Sequence, residues 1–80
     1  MLGNGDNKMI TSPELLKAKR VALGLNQAEL AELLNVGQGY VSQLEAGRTG
    51  ITAGVIRKYR EYIPITDDDA LFLLGLKEVE

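Results

Sequence analysis

Residues 27–46 contain two short apolar stripes with helical spacing, separated by a three-residue segment that favours a turn. The stripes are formed by Leu30, Ala31 and Leu34 and by Val41 and Leu44. The segment between them reads NVG, in which asparagine and glycine tolerate positive φ and valine can fill the angle between two helices. The pattern therefore predicts two helices, 27–34 and 38–46, packed across a tight turn.

A helix-turn-helix unit places its second helix in the DNA major groove, where residues near the start of that helix contact base edges. A glutamine amide offers one donor and one acceptor, which match the N6/N7 edge of adenine. Gln38 and Gln43 are therefore candidate base-reading residues, and plain surface exposure is the alternative. Gly39 costs about 1 kcal/mol relative to alanine within a helix, and a close approach to DNA would explain its presence. Tyr40 either contacts the DNA backbone or is partly buried, and Ser42 faces either solvent or phosphate.

The segments LGLNQAELA at 23–31 and QLEAG at 43–47, with the spacing from Leu16 to Arg20, resemble the Cro/C1-type (XRE-like) helix-turn-helix of lambdoid phage repressors and related bacterial regulators. The resemblance extends over about residues 13–63. It implies a compact all-α, five-helix, lambda-repressor-like DNA-binding domain. It also implies a sequence-specific transcriptional regulator of double-stranded DNA, expected to be a repressor that binds a palindromic operator as a homodimer.

The same resemblance implies roles for individual residues. Gln27, at the start of the second helix, would contact a phosphate, with help from the helix dipole. Arg20 and Glu45 would form a salt bridge that joins the first helix to the reading helix, which is a structural role. Arg48 is a further phosphate candidate because its loop would flank the groove. Two more basic residues follow as candidates, with solvated surface as the alternative: Arg57 and Lys58.

Capping signals predict the boundaries of the helices. Ser12, as N-cap before a proline, predicts a first helix that ends at Gly24, with an inner face formed by Leu15, Leu16, Lys19, Val21 and Leu23. Asn26 and Gly37 are the expected N-caps of the next two helices, and Thr52 precedes a fourth at 53–62. Thr66 precedes a fifth helix at 67–75. Its first turn contains three aspartates, at 67–69, which suit a helix N-terminus better than a metal site.

The composition excludes several classes of function. The chain of 80 residues has no cysteine and no histidine, so thiol catalysis, histidine acid–base chemistry and ordinary zinc sites are excluded. We expect no enzyme activity, no cofactor, no metal, no small-molecule ligand and no membrane segment, and a cytoplasmic location. The net charge of −2 is unevenly distributed: residues 8–60 carry +4 and residues 61–80 carry −5. A moderately basic body suits one surface that faces phosphates.

The expected organisation is a flexible tail at 1–11, one domain at 12–76 and a short tail at 77–80. Lys8 could serve a DNA-binding arm, although a solvated tail is the ordinary behaviour of such a terminus. The fifth helix offers more apolar side chain than one inward face requires, which predicts a homodimer contact through Leu71, Phe72, Leu73, Leu74 and Leu76.

A protein-interaction module of the antitoxin or adaptor type, with the same fold but weak or no DNA binding, is the alternative function. The weak net charge and the two glycines at the start of the reading helix, Gly37 and Gly39, are the features that favour it. Selection of a DNA site from random duplexes would separate the two hypotheses.

Overall fold

The structure, a computed structural model, describes residues 10–76 of the chain. Five helices follow one another in this part: α1 Ser12–Ala22, α2 Gln27–Leu34, α3 Gln38–Glu45, α4 Ala53–Tyr59 and α5 Asp67–Leu73. Residues 10–76 contain no strand, so the predicted all-α fold with five helices is confirmed. Residues 1–9 and 77–80, which include Lys8 and most of the expected tails, lie outside the described residues. None of the five helices is both long and apolar enough to cross a membrane.

The first helix begins one residue earlier than predicted. Thr11, not Ser12, is the N-cap: its hydroxyl accepts from the Glu14 N–H at 3.3 Å, and the Glu14 carboxylate accepts from the Thr11 N–H at 2.9 Å. This reciprocal pair satisfies two backbone donors at once, which a cap at Ser12 would not do. The Ser12 hydroxyl donates instead to the Phe72 carbonyl of α5 at 3.3 Å.

The other predicted caps are confirmed. The side chains of Asn26, Thr52 and Thr66 each accept from the backbone three residues on, and Gly37 is the N-cap of α3. The fourth helix ends at Tyr59 rather than at position 62, because the backbone then tightens: the Glu61 and Tyr62 N–H groups donate to carbonyls three residues back, those of Lys58 and Tyr59, at 3.3 and 3.0 Å. The proline that follows Ile63 disfavours helical geometry there.

The turn between α2 and α3 has the predicted conformation. Asn35 lies in the left-handed region, at φ 59°. This permits the Val36 N–H to donate to the Ala31 carbonyl at 2.9 Å. Val36 is partly buried against the core, and Ala31 is 3% exposed, as expected of a small residue where two helices pack. Helices α2 and α3 are thus held together as one unit.

One core joins all five helices. Its buried residues are Leu16, Leu30, Ala31, Leu34, Val41, Leu44, Ile56, Tyr59, Ile63, Ile65 and Leu73. The predicted inner face of α1 was too wide: Val21 and Leu23 are exposed, and only Leu16 and Arg20 are buried. Val21 lies about 100° around the helix from Arg20, outside the buried line. Leu23 follows the last residue of the helix.

Helix α5 packs against α1 and α4. The Lys19 ammonium lies 2.8 Å from an Asp69 carboxylate oxygen, and this contact holds the pKa of Asp69 below its ordinary value. Leu73 is buried in the core, so its predicted place in a dimer contact is wrong. Phe72 is half-buried. Three leucines remain exposed at this end of the described chain: Leu71, Leu74 and Leu76.

Candidate nucleic-acid interface

Helix α3 has one buried face and one exposed polar face. Val41 and Leu44 are fully buried against the other helices. At 100° per residue, the exposed residues at positions 38, 39, 42 and 43 occupy one continuous arc of about 140° on the opposite side. The structure therefore brings four of the predicted site residues onto one surface: Gln38, Gly39, Ser42 and Gln43.

Tyr40 lies at the edge of this arc. It is 38% exposed, and it borders a hollow of about 370 Å³ between the α2–α3 turn and α4. Val36 and Val55 line the same hollow. Tyr40 is therefore partly buried and partly available at the surface, so a contact with the DNA backbone and a packing role are compatible.

Arg20 and Glu45 form the salt bridge that the resemblance implied. The Arg20 Nε donates to Glu45 Oε2 at 2.7 Å and its Nη2 donates to Glu45 Oε1 at 3.0 Å. Their side chains are 9% and 3% exposed. The hydrogen bond to Glu45 holds the pKa of the Arg20 guanidinium above its ordinary value. The bidentate geometry fixes both the distance and the angle between α1 and α3.

Two further hydrogen bonds extend this pair in ways that the sequence did not indicate. The Arg20 Nη1 donates to the Leu25 carbonyl at 2.7 Å, and the Gln27 Nε2 donates to Glu45 Oε1 at 3.0 Å. We call these four residues the Arg20–Glu45 cluster. Because the cluster joins α1, the α1–α2 loop, α2 and α3, it holds the C-terminal end of α3 against the rest of the domain. One amide hydrogen of Gln27, a predicted phosphate contact, is therefore already engaged within the protein.

The basic phosphate candidates are exposed at the surface. Arg48 directly follows the turn that ends α3, and its backbone N–H donates to the Gln43 carbonyl at 2.9 Å. Arg57 and Lys58 lie on α4. None of these three side chains forms an ion pair with another residue in 10–76. Their charges are consequently available to a phosphate.

The Tyr59 hydroxyl is a buried polar group that the sequence did not single out. The side chain is 1% exposed, and its oxygen has no hydrogen-bond partner among the described residues. Burial, together with the nearby charge of Glu45, raises the pKa of Tyr59 to about 12. The hydroxyl therefore stays neutral, and it adds a cost to an otherwise apolar core.

Two of the three aspartates at the start of α5, Asp67 and Asp69, form contacts with other described residues. Asp69 closes a capping box with Thr66 and binds Lys19, while Asp67 lies 3.1 Å from the Arg60 guanidinium. Within 10–76, no group of acidic residues has the arrangement needed to hold a metal ion. Asp67 and Asp69 thus stabilise the start of α5 and its packing against the neighbouring elements.

A protein-family model described as helix-turn-helix matches residues 16–69 of the chain. The match covers more than half of the sequence and includes every candidate DNA-contact residue except Lys8. No solved structure matches the chain significantly.

Proposed function

The chain belongs to the helix-turn-helix family of the Cro/C1 type, a family of DNA-binding regulators, and on this premise we propose that it is a sequence-specific repressor that reads the major groove with α3 as a homodimer. The observation that carries the proposal is the exposed arc of α3 on a helix whose last residue, Glu45, is held by the Arg20–Glu45 cluster. A reading helix must present its side chains at one fixed angle to select a sequence, and a buried bidentate pair supplies that constraint.

Base reading is assigned to the two glutamines of the arc. Gln38 and Gln43 are exposed, and an amide can bind the N6/N7 edge of adenine in a bidentate manner. Gly39 lies between them along the arc and brings the backbone close to the bases. Ser42 lies on the same surface, where its hydroxyl can bind a base edge or a phosphate.

Phosphate contacts are assigned around the arc. Gln27 retains a second amide hydrogen, Tyr40 lies at one edge, and Arg48 follows the end of α3. Arg57 and Lys58 add charge farther along α4. Such contacts set the position of a protein on the duplex and make its affinity depend on salt.

A homodimer is proposed because one short helix contacts only a few base pairs. Two copies related by a twofold axis would read half-sites about 34 Å apart. The exposed leucines of α5 and its end, Leu71, Leu74 and Leu76, give an apolar surface for this contact. A dimer bound at a promoter would exclude polymerase and so repress transcription.

Selection from a pool of random duplexes tests the proposal. We expect enrichment of a palindromic site, with an affinity that falls as salt rises. The matched control is the double variant Gln38→Ala/Gln43→Ala, which leaves the core untouched and should select no site. Absence of any enrichment by the wild type at low salt would favour a protein-interaction module instead.

A further inference from the structure

Helix α3 begins differently from the other four helices. Those four begin with a side-chain cap, from Thr11, Asn26, Thr52 and Thr66 respectively. Helix α3 begins at Gly37, which has no side chain and therefore makes no such bond. A side-chain cap satisfies one of the free N–H groups at a helix start and stabilises the first turn. The first turn of the reading helix lacks this support.

The backbone of this first turn also differs. In the four capped helices the N-cap carbonyl accepts from the N–H four residues on, at 2.9–3.0 Å; the donors are Leu15, Leu30, Ile56 and Ala70. The Gly37 carbonyl accepts from the Tyr40 N–H, three residues on, at 3.1 Å. A bond of the three-residue type has poorer geometry than the α-helical one.

Neither glycine of this turn is required by the fold. A Cβ atom built at Gly37 or Gly39 would meet no other atom within 4 Å, and neither residue has positive φ. Glycine is also among the least favourable residues inside a helix, because it loses the most backbone freedom on folding. The turn therefore combines two destabilising residues with no steric reason for either.

The other end of α3 is held firmly. Gly47, at φ 76°, ends the helix, and the Arg48 N–H donates to the Gln43 carbonyl at 2.9 Å. Leu44 is fully buried, and Glu45 accepts from Arg20 and Gln27. Gln43 is thus part of a fixed segment, whereas Gln38 lies between two glycines in the least supported turn.

From this asymmetry we infer that the first turn of α3 is conformationally adaptable, and that Gln38 consequently discriminates among base pairs less strictly than Gln43. The inference rests on the proposed function, in which α3 reads DNA. An amide on a fixed backbone leaves its groups unpaired when the base is wrong. An amide on an adaptable turn moves to find another partner, as flexible surfaces do in permissive binders.

Hydrogen exchange of the free protein tests the adaptability without DNA. We compare the Tyr40 amide with the four amides that close the first turns of the other helices, after correction for intrinsic rates. Tyr40 should exchange roughly tenfold faster or more, as expected from the loss of a cap and the presence of glycine. Exchange of Tyr40 at the same rate as the other four amides would overturn the inference.

Single base-pair substitutions in the selected site test the discrimination. The Gln43→Ala variant identifies the base pair that Gln43 reads, because selectivity at that base pair is lost. In the wild type, substitution of that base pair should lower affinity by about 5- to 150-fold, the range for a good bidentate contact. The corresponding penalty at the Gln38 base pair should be about 3-fold or less, since an adaptable amide recovers part of the contact. Equal penalties at the two base pairs would overturn the inference.

A variant with a more stable first turn of α3 tests whether the adaptability of this turn causes the low penalty at the Gln38 base pair. The single variant Gly37→Ser adds a cap and leaves Gly39, whose backbone is proposed to approach the bases, unchanged; it should raise the penalty at the Gln38 base pair several-fold. Gly54→Ala is the matched control, because Gly54 occupies the second position of the capped helix α4 and has space for a Cβ. The control should leave the penalties unchanged. An unchanged penalty in Gly37→Ser would contradict the inference, whereas a wild type that selects no duplex would overturn the base-reading role itself.

Discussion

The Arg20 guanidinium on α1 donates to both carboxylate oxygens of Glu45, 25 residues later at the end of α3, at 2.7 and 3.0 Å. Both side chains are almost entirely buried. A buried ion pair adds little net stability over a well-packed apolar replacement, because both charges must be desolvated, so we expect this pair to act chiefly through the geometry that it imposes. Here the geometry is the angle at which α3 faces its surroundings.

Breaking this pair should unfold a substantial fraction of the protein. Arg20→Ala leaves the Glu45 carboxylate buried without its partner, which typically costs about 3–5 kcal/mol. Urea denaturation followed by circular dichroism measures the loss. The control is Arg60→Ala, which breaks the exposed pair with Asp67 and should change the free energy of unfolding by about 1 kcal/mol or less. Unchanged stability of Arg20→Ala with abolished DNA binding would instead indicate a direct DNA contact.

Removing either reading glutamine should weaken specific binding and spare the fold. Gln43→Ala should lower affinity for the selected site by about 1–3 kcal/mol, and Gln38→Ala should lower it less, because its turn is inferred to be adaptable. Both side chains are exposed, so thermal stability should remain. Fluorescence anisotropy on the selected and a scrambled duplex measures the difference. If Gln43→Ala weakens both duplexes equally, Gln43 contacts phosphate and not a base.

A charge in the exposed leucine surface should prevent dimer formation. Leu76 is 71% exposed, and Leu76→Asp would place a carboxylate in the proposed apolar contact. Sedimentation at several concentrations, with and without the selected duplex, should show a dimer for the wild type and a monomer for the variant. Val21→Asp is the control, because Val21 is an exposed apolar residue of α1. A variant that dimerises as well as the wild type would exclude this surface.

Tyr59 should make the protein less stable at high pH. An unfolded tyrosine loses its proton near pH 10, whereas the pKa of Tyr59 in the folded protein is about 12. Between these values the folded state binds more protons than the unfolded state, so the free energy of unfolding falls as pH rises. In Tyr59→Phe this decline should be smaller. Its stability at pH 7 should be equal or up to about 1 kcal/mol higher, because the lost hydroxyl has no partner.

Denaturation curves measure this effect at about pH 7, 10 and 11.5, which lie below, at and above the pKa of an unfolded tyrosine. The control is Tyr62→Phe, since Tyr62 is 45% exposed. The two phenylalanine variants should differ in the steepness of the decline. The same decline in Tyr59→Phe as in the wild type would show that other groups cause it.

Local chemistry explains which parts of the fold the sequence predicted. Asn26, Thr52 and Thr66 precede their helices with the correct spacing to the third residue, and each cap depends only on neighbouring residues. The prediction placed the N-cap of α1 at Ser12. The capping-box spacing from Thr11 to Glu14 was the signal that could have identified Thr11 as the N-cap.

The remaining features depend on tertiary contacts that periodicity does not encode. Val21 is apolar but exposed, because α1 buries only a narrow line. Gln27 was assigned to phosphate, and its bond to Glu45 depends on a long side chain with many rotamers. Leu73 was assigned to a dimer contact, and only the docking of α5 on α1 and α4 shows that it is buried. The order of the helices and the exposed face of α3 followed from the motif.

The hydrogen bond from the Ser12 hydroxyl to the Phe72 carbonyl joins residues 60 positions apart. Closing a loop of this length costs only about 0.8 kcal/mol more than closing the 25-residue loop between Arg20 and Glu45. During folding, we expect both loops to close later than the short turn that pairs α2 with α3. We expect assembly to begin with α2 and α3, to continue with α1 and to finish with α5. An incompletely folded chain would then have α3 in place before the leucines of the proposed dimer surface are positioned, so under the proposed assembly a newly made protein would dimerise only after folding was complete.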